Sequence, residues 1–116
     1  NEGKNVEITL VTRETDGYSV VEVSGEVDVY TAPQLDEQLS GLVEAGSYQL
    51  VVDLSAVEFL DSTGLGVLVK ALKRVREHGG SLAVVTATDR ISKVFRITGL
   101  DTAIGLHSSV DEAVAG

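Results

Sequence analysis

Cysteine, methionine and tryptophan are missing from the 116 residues, and proline occurs once. Without cysteine there is no disulfide, no thiolate zinc site and no thiol nucleophile, a usage that fits a cytoplasmic protein. Aromatics make up 4% of the chain against 43% hydrophobic residues, so Val, Leu and Ala must build the core. No apolar run reaches the roughly 18 residues that a membrane span requires. Cations are scarce: 9 Lys and Arg stand against 18 Asp and Glu, for a net charge of −9. That balance argues against nucleic acid or an anionic membrane as partner and favours a basic or mixed protein surface. The polar start, Asn1 to Asn5, has no secretory signal pattern and is expected to be a disordered tail or an expression remnant. One domain over residues 6–115 remains, long enough for a real core.

What is there is organised around Leu50 to Gly80. The stretch opens as an apolar run of buried-strand type, passes a short polar turn, Asp61-Ser62-Thr63-Gly64, and continues as an amphipathic helix. Leu65, Leu68, Leu72 and Val75 share one helical face. Lys70, Lys73, Arg74, Arg76 and His78 crowd its second half, where cations suit the negative end of the helix dipole, and Gly79-Gly80 stops it. Asp61 or Ser62 is the expected N-cap, which puts a hydroxyl beside free backbone N–H groups, a place for a phosphate. Ser and Thr at a helix start are most often plain caps. Gly64 and Gly66 weigh against that alone, since each costs about 0.5–1 kcal/mol in a helix and leaves bare backbone for something to approach.

Along the chain, Val6–Val11 and Tyr18–Ser24 read as an antiparallel hairpin around Arg13 to Gly17, with Asp16-Gly17 as the turn signal. Gly25 to Tyr30 reads as a connector carrying two carboxylates, Glu26 and Asp28. Thr31 and Gln34 have capping-box spacing, with Pro33 in the first turn of a helix whose inner face is Leu35, Leu39, Leu42 and Val43. Tyr48–Leu54 is a continuous apolar strand of the kind covered on both faces, and Leu82–Val85 repeats it. Thr88 or Asp89 caps a third helix with Ile91, Val94 and Phe95 inward, Ala103–Leu106 is a last strand, and Ser109 with Glu112 caps a final helix. The order ββαβαβαβα predicts an α/β domain: a mixed, mostly parallel sheet, an N-terminal antiparallel hairpin and four helices. Functional loops in such sheets follow the C-terminal strand ends, which brings Gly25–Thr31 and Phe59–Gly64, hence Asp28 and Ser62, to one surface.

Several chemistries fail on spacing. A serine hydrolase needs a base beside Ser62; His78 lies about 24 Å along the same helix at 1.5 Å per residue, and although spacing leaves His107 open, no G-x-S-x-G elbow exists. The resemblance of Asp61–Gly64 to an aspartic-protease loop has an extra residue before the Gly and lacks a second copy. A phosphoacceptor-aspartate receiver would use Asp53, yet no acidic cluster follows the first strand, and a carboxylate bonding nearby backbone is the simpler reading. Gly64-x-Gly66 is too short for a nucleotide fingerprint, and no residue cluster suits a metal.

Gly25-Glu26-Val27-Asp28, Thr31-Ala32-Pro33, Phe59 to Leu68, Gly79-Gly80 and Phe95 to Leu100, taken together, are familiar. The chain resembles the anti-sigma factor antagonists, bacterial STAS-domain proteins, from about Val6 to Ala115, and in detail is similar to actinobacterial members. The resemblance implies a cytoplasmic regulator of transcription in stress responses that is not itself an enzyme and needs no cofactor. Its unmodified form binds an anti-sigma factor that is also a serine kinase, freeing the sigma factor. The kinase phosphorylates the hydroxyl directly after the motif Asp, here Ser62, with Thr63 as a second candidate, and a PP2C-type phosphatase resets the switch. Asp28 maps onto the acidic residue of the neighbouring loop. The implied partner surface is Glu26, Asp28, Thr31, Asp61, Ser62, Thr63, Gly64 and Gly66. A STAS module that senses a nucleotide or scaffolds a stress complex is the alternative.

Overall fold

The computed structural model describes residues 7–115; the tail over residues 1–5, and Val6 as a strand start, lie outside the described residues. Strands β1 (Ile8–Thr15) and β2 (Tyr18–Val27) form the hairpin, followed by α1 (Ala32–Glu44), β3 (Gln49–Leu60), α2 (Ser62–Arg76), β4 (Ser81–Val85), α3 (Asp89–Thr98), a 3₁₀ turn (Leu100–Thr102), β5 (Gly105–His107) and α4 (Val110–Ala115). The sheet has the order β1-β2-β3-β4-β5, with β1 antiparallel to β2 and the other pairs parallel. The expected α/β architecture is therefore the one adopted.

The hairpin turn is tighter than expected. Asp16 and Gly17 have φ of 53° and 84°, and the ladder runs down to Thr15 opposite Tyr18, so Arg13–Thr15 belong to β1 and not to the turn. Two residues with positive φ match the twist of the strands and need no longer loop. β2 likewise continues through Gly25-Glu26-Val27, which were expected in a connector. At Gly25 (φ 103°) a Cβ would collide with the Glu7 carbonyl, which fixes glycine there.

β3 is the largest departure, running to Leu60 and not ending at Leu54. Against β2 its register shifts between Glu22 and Ser24 and again between Gly25 and Glu26. Each bulge inserts a residue, so the two-residue alternation slips. Leu50, Val52 and Leu54 face the helices, but the next inward residues are Val57 and Leu60, three apart. That spacing does not read as a strand. Asp53 thus sits within β3 beside the bulge, where its carboxylate accepts the Ser55 N–H (2.9 Å) and hydroxyl (2.6 Å).

Consecutive parallel strands joined by right-handed crossovers put α1, α2 and α3 on one face. There Leu35, Leu39, Leu68, Leu72, Ile91 and Phe95 close over Val21, Val52 and Val84. The opposite face is covered in its lower part by α4, through Ala113 on Val20, Val51 and Val85. Lys70 (to Asp36, 3.1 Å) and Arg74 (to Glu44, 3.8 Å) tie α2 to α1. Smaller corrections follow from local bonding. β5 begins at Gly105 because Leu100–Thr102 form a 3₁₀ turn. His78 lies beyond the end of α2 and stacks on Tyr48, centroids 4.1 Å apart. The Ser109 hydroxyl accepts the Glu112 N–H, while the Glu112 carboxylate accepts from Ser108, one residue off a capping box.

Candidate functional site

Parallel pairing of β2 with β3 ends at Val27 opposite Leu60, and the Asp61 N–H donates to the Val27 carbonyl (3.1 Å). Asp28 and Asp61 therefore leave the sheet side by side at its C-terminal edge, as the topology predicted. Each turns its chain into a helix in the same way. Asp28 Oδ1 accepts the N–H groups of Tyr30 (2.9 Å) and Thr31 (3.1 Å), two and three residues on. Asp61 Oδ1 accepts those of Thr63 (3.0 Å) and Gly64 (3.2 Å), again two and three residues on. The carbonyls of Asp28 and Asp61 then accept from Ala32 (2.8 Å) and Leu65 (3.1 Å). At Asp61, which caps α2, satisfying first-turn donors is worth about 0.5–2 kcal/mol; Asp28 makes the matching bonds in the turn ahead of α1, whose first residue is Ala32.

Asp61, not Ser62, is the N-cap of α2. Desolvation pushes its carboxyl up, but hydrogen bonds from the Thr63 hydroxyl and from the Gly64 and Thr63 N–H groups outweigh this and hold it below 3.8. Two of the donors expected to be free for a phosphate, the Thr63 and Gly64 N–H groups, are thus already taken by Asp61. Ser62 occupies the first position of α2, exposed, and its hydroxyl has no hydrogen-bond partner among the described residues. Thr63 is exposed too, but its hydroxyl is held by Asp61. Of the two candidate hydroxyls, only that of Ser62 stands unengaged.

Burial divides the rest of the expected partner surface. Glu26 and Asp28 are half-buried and Gly66 is exposed with open space where a side chain would go. Thr31 is 2% exposed and belongs to the interior. Its hydroxyl donates to the Glu26 carbonyl (2.7 Å) and accepts the Asp28 N–H (2.9 Å), so the expected capping box with Gln34 does not form. Gly64 is buried as well: a Cβ there would lie 2.6 Å from both Leu60 Cδ1 and Val27 Cγ1. Its missing side chain serves the packing of α2 on the strand ends, not the approach of a partner. Asp28 is a loop-holding residue in addition to any contact it makes.

Sequence reasoning missed the apolar members of this edge. Val29 (56% exposed) and Tyr30 (81%) lie in the β2–α1 turn, and Phe59 (47%) lies near the end of β3. Their signal was that none fits the inward spacing of the adjoining element. Large apolar side chains grouped at one end of a domain mark contact surfaces. Among the described residues no group of three His, Asp or Glu could hold a metal ion, and no helix is long and apolar enough to cross a membrane.

A STAS domain model matches residues 9–113. The anti-sigma-B factor antagonist of Staphylococcus aureus is 39% identical over 93 residues, 80% of this chain and 86% of that protein. Its namesake from Staphylococcus epidermidis is 38% identical over 96 residues, 83% and 87% of the two chains. Among solved structures, an anti-sigma factor antagonist from Mycobacterium paratuberculosis aligns with a TM-score of 0.87 and 38% identity, over 94% of this chain and 92% of that one.

Proposed function

The chain belongs to the STAS domain family, and on that premise we propose that it is an anti-sigma factor antagonist switched by phosphorylation of Ser62. In this reading the unmodified protein binds an anti-sigma factor with serine kinase activity in the cytoplasm and releases a sigma factor. A PP2C-type phosphatase restores it. The protein is a substrate and a binding module, not a catalyst. The names of the Staphylococcus and Mycobacterium relatives support the antagonist role.

The observation that carries the switch is the state of the Ser62 hydroxyl: exposed, unbonded and at the sheet edge beside Val29, Tyr30 and Phe59. A side chain that makes no bond can enter another protein's active site without unfolding its own. Phosphorylation adds about −1.5 to −2 charges next to the Asp61 carboxylate, which already takes the Thr63 and Gly64 N–H groups. The dianion therefore gains little from its own helix and must be desolvated against a surface that accepts acidic Asp28 and Asp61. Repulsion and desolvation at the interface break the complex; no change of fold is required.

The test is phosphoryl transfer. Incubated with the anti-sigma factor of its host and ATP, the protein gains a single stable phosphoryl group on Ser62, and Ser62→Ala gains none while still binding. Transfer to Asp53 as an acid-labile acyl phosphate, or no transfer with tight retention of nucleotide, would overturn the reading.

A further inference from the structure

In a chain of net charge −9, the cations are not scattered. Lys70, Lys73, Arg74 and Arg76 lie on α2 and Arg90, Lys93 and Arg96 on α3; of the 9 Lys and Arg only Lys4 and Arg13 lie elsewhere. Of the 18 acids, only Asp89 falls within these helices. Such segregation is costly, because like charges three or four positions apart on one helix repel.

Helical spacing sorts the cations further. Lys70 and Arg74 face α1 and are neutralised by Asp36 and Glu44. Lys73 and Arg76 lie on the other flank of α2, toward the β5 side of the sheet, where Arg76 donates to the Ala103 carbonyl (3.1 Å) just before that strand. On α3, Ile91 and Phe95 point into the core, so Arg90, Lys93 and Ile97, at spacings of three and four, form an outward stripe. Lys73, Arg90 and Lys93 are exposed and form no ion pair among the described residues. Ile97, 76% exposed, stands on the same stripe.

We propose that the α2–α3 face is a second docking surface, separate from the Ser62 edge, for an acidic protein segment that carries an apolar residue for Ile97. Charge complementarity identifies the occupant: a cationic stripe with a single large aliphatic suits an acidic amphipathic helix. A single-stranded nucleic acid would need aromatic rings for its bases to stack on, and the stripe offers none. A membrane surface would find only one apolar side chain, Ile97, to insert.

The probe is a fluorescein-labelled amphipathic peptide alternating Glu with Leu at helical spacing. A scrambled peptide of the same composition and a single-stranded oligonucleotide serve as comparisons. Fluorescence anisotropy with the full chain is expected to show saturable binding that weakens at least about tenfold, close to 1.4 kcal/mol, in Lys73→Gln/Lys93→Gln. Ile97→Ser is expected to erase the preference over the scrambled peptide. Arg13→Gln/Lys70→Gln, with the same charge change, and Ser62→Asp leave binding within about twofold. All are exposed positions, and thermal melts check that each variant is folded. Equal loss in the two double variants, equal binding of the scrambled peptide, preference for the oligonucleotide, or dimerisation of the chain in place of peptide binding would each overturn the proposal. Because Ser62→Asp breaks only the switch, failure here is separable from failure of the Ser62 reading.

Discussion

The β2–α1 and β3–α2 junctions solve one problem with one device and then diverge. Two parallel strands end side by side, and each chain turns back into a helix under a carboxylate that accepts N–H groups two and three residues on. The residues that follow each carboxylate differ: α2 begins directly after Asp61, whereas a three-residue turn separates Asp28 from α1. After Asp28 come Val29 and Tyr30, apolar and exposed, then Thr31, whose hydroxyl is turned inward and bonded at both ends. After Asp61 come Ser62 and Thr63, hydroxyls facing solvent, then Gly64, packed without a side chain between Val27 and Leu60. One junction displays contact area and the other displays chemistry. The rigidity of both comes from residues that never reach the surface. A switch needs that division, because a hydroxyl that held the fold could not also be modified at will.

Substitutions at matched positions test the division, and the buried third residue has the largest effect. Gly64→Val forces side-chain atoms into Leu60 and Val27 and is expected to cost about 1–3 kcal/mol, as overpacking does, read as a lower urea midpoint at constant m-value. A neutral result would mean that α2 slides outward freely. Thr31→Val leaves the Asp28 N–H and Glu26 carbonyl short of a partner and is expected to cost about 1–3 kcal/mol. An effect no larger than that of Thr63→Val would dissolve the contrast between the two hydroxyls.

The caps come next. Asp61→Ala is expected to lose about 0.5–2 kcal/mol as a lost cap, and Asp28→Ala about 0.5–1.5 kcal/mol per lost turn bond, by chemical denaturation, since each carboxylate holds two backbone donors. Asp28→Ala therefore weakens the fold as well as any contact. At Asp61 the charge can be separated from the acceptor. Hydrogen bonds hold its carboxyl below the ordinary aspartate value in the folded protein, so its extra stability is present above that ordinary value and lost as pH falls through the folded-state pKa. Asp61→Asn keeps an acceptor without the charge. It is expected to be less stable than the parent near neutrality, with the gap closing in acid below 3.8. A gap that stays constant with pH would mean that the charge contributes nothing. Ser62→Ala has the smallest effect, within about 0.5 kcal/mol, as for an exposed side chain without a bond.

The comparison also explains what the residues made legible. Helices α1, α2 and α3 were readable because their inner faces repeat at helical spacing, and the parallel order followed from their alternation with apolar runs. Ser62 stood out through a motif that is local in sequence. Ser55–Leu60 did not read as strand, because two bulges place Val57 and Leu60 out of step with Leu50, Val52 and Leu54. Thr31 and Gly64 read as surface residues because their burial depends on how two strand ends meet, a contact between residues more than thirty positions apart in the sequence. Val29, Tyr30 and Phe59 carried only a negative signal: apolar residues with no periodic place.

The central claim is that Ser62 switches affinity without switching the fold. It is tested most directly by calorimetric titration of the anti-sigma partner into unmodified and Ser62-phosphorylated protein, with the melting temperature of each measured alongside. The account predicts that phosphorylation weakens binding by more than about a hundredfold, near 3 kcal/mol, while the two melting temperatures agree within the few degrees that about 1 kcal/mol produces in a domain of this size. Equal affinities, or a melting point lowered by many degrees in the phosphorylated form, would contradict it.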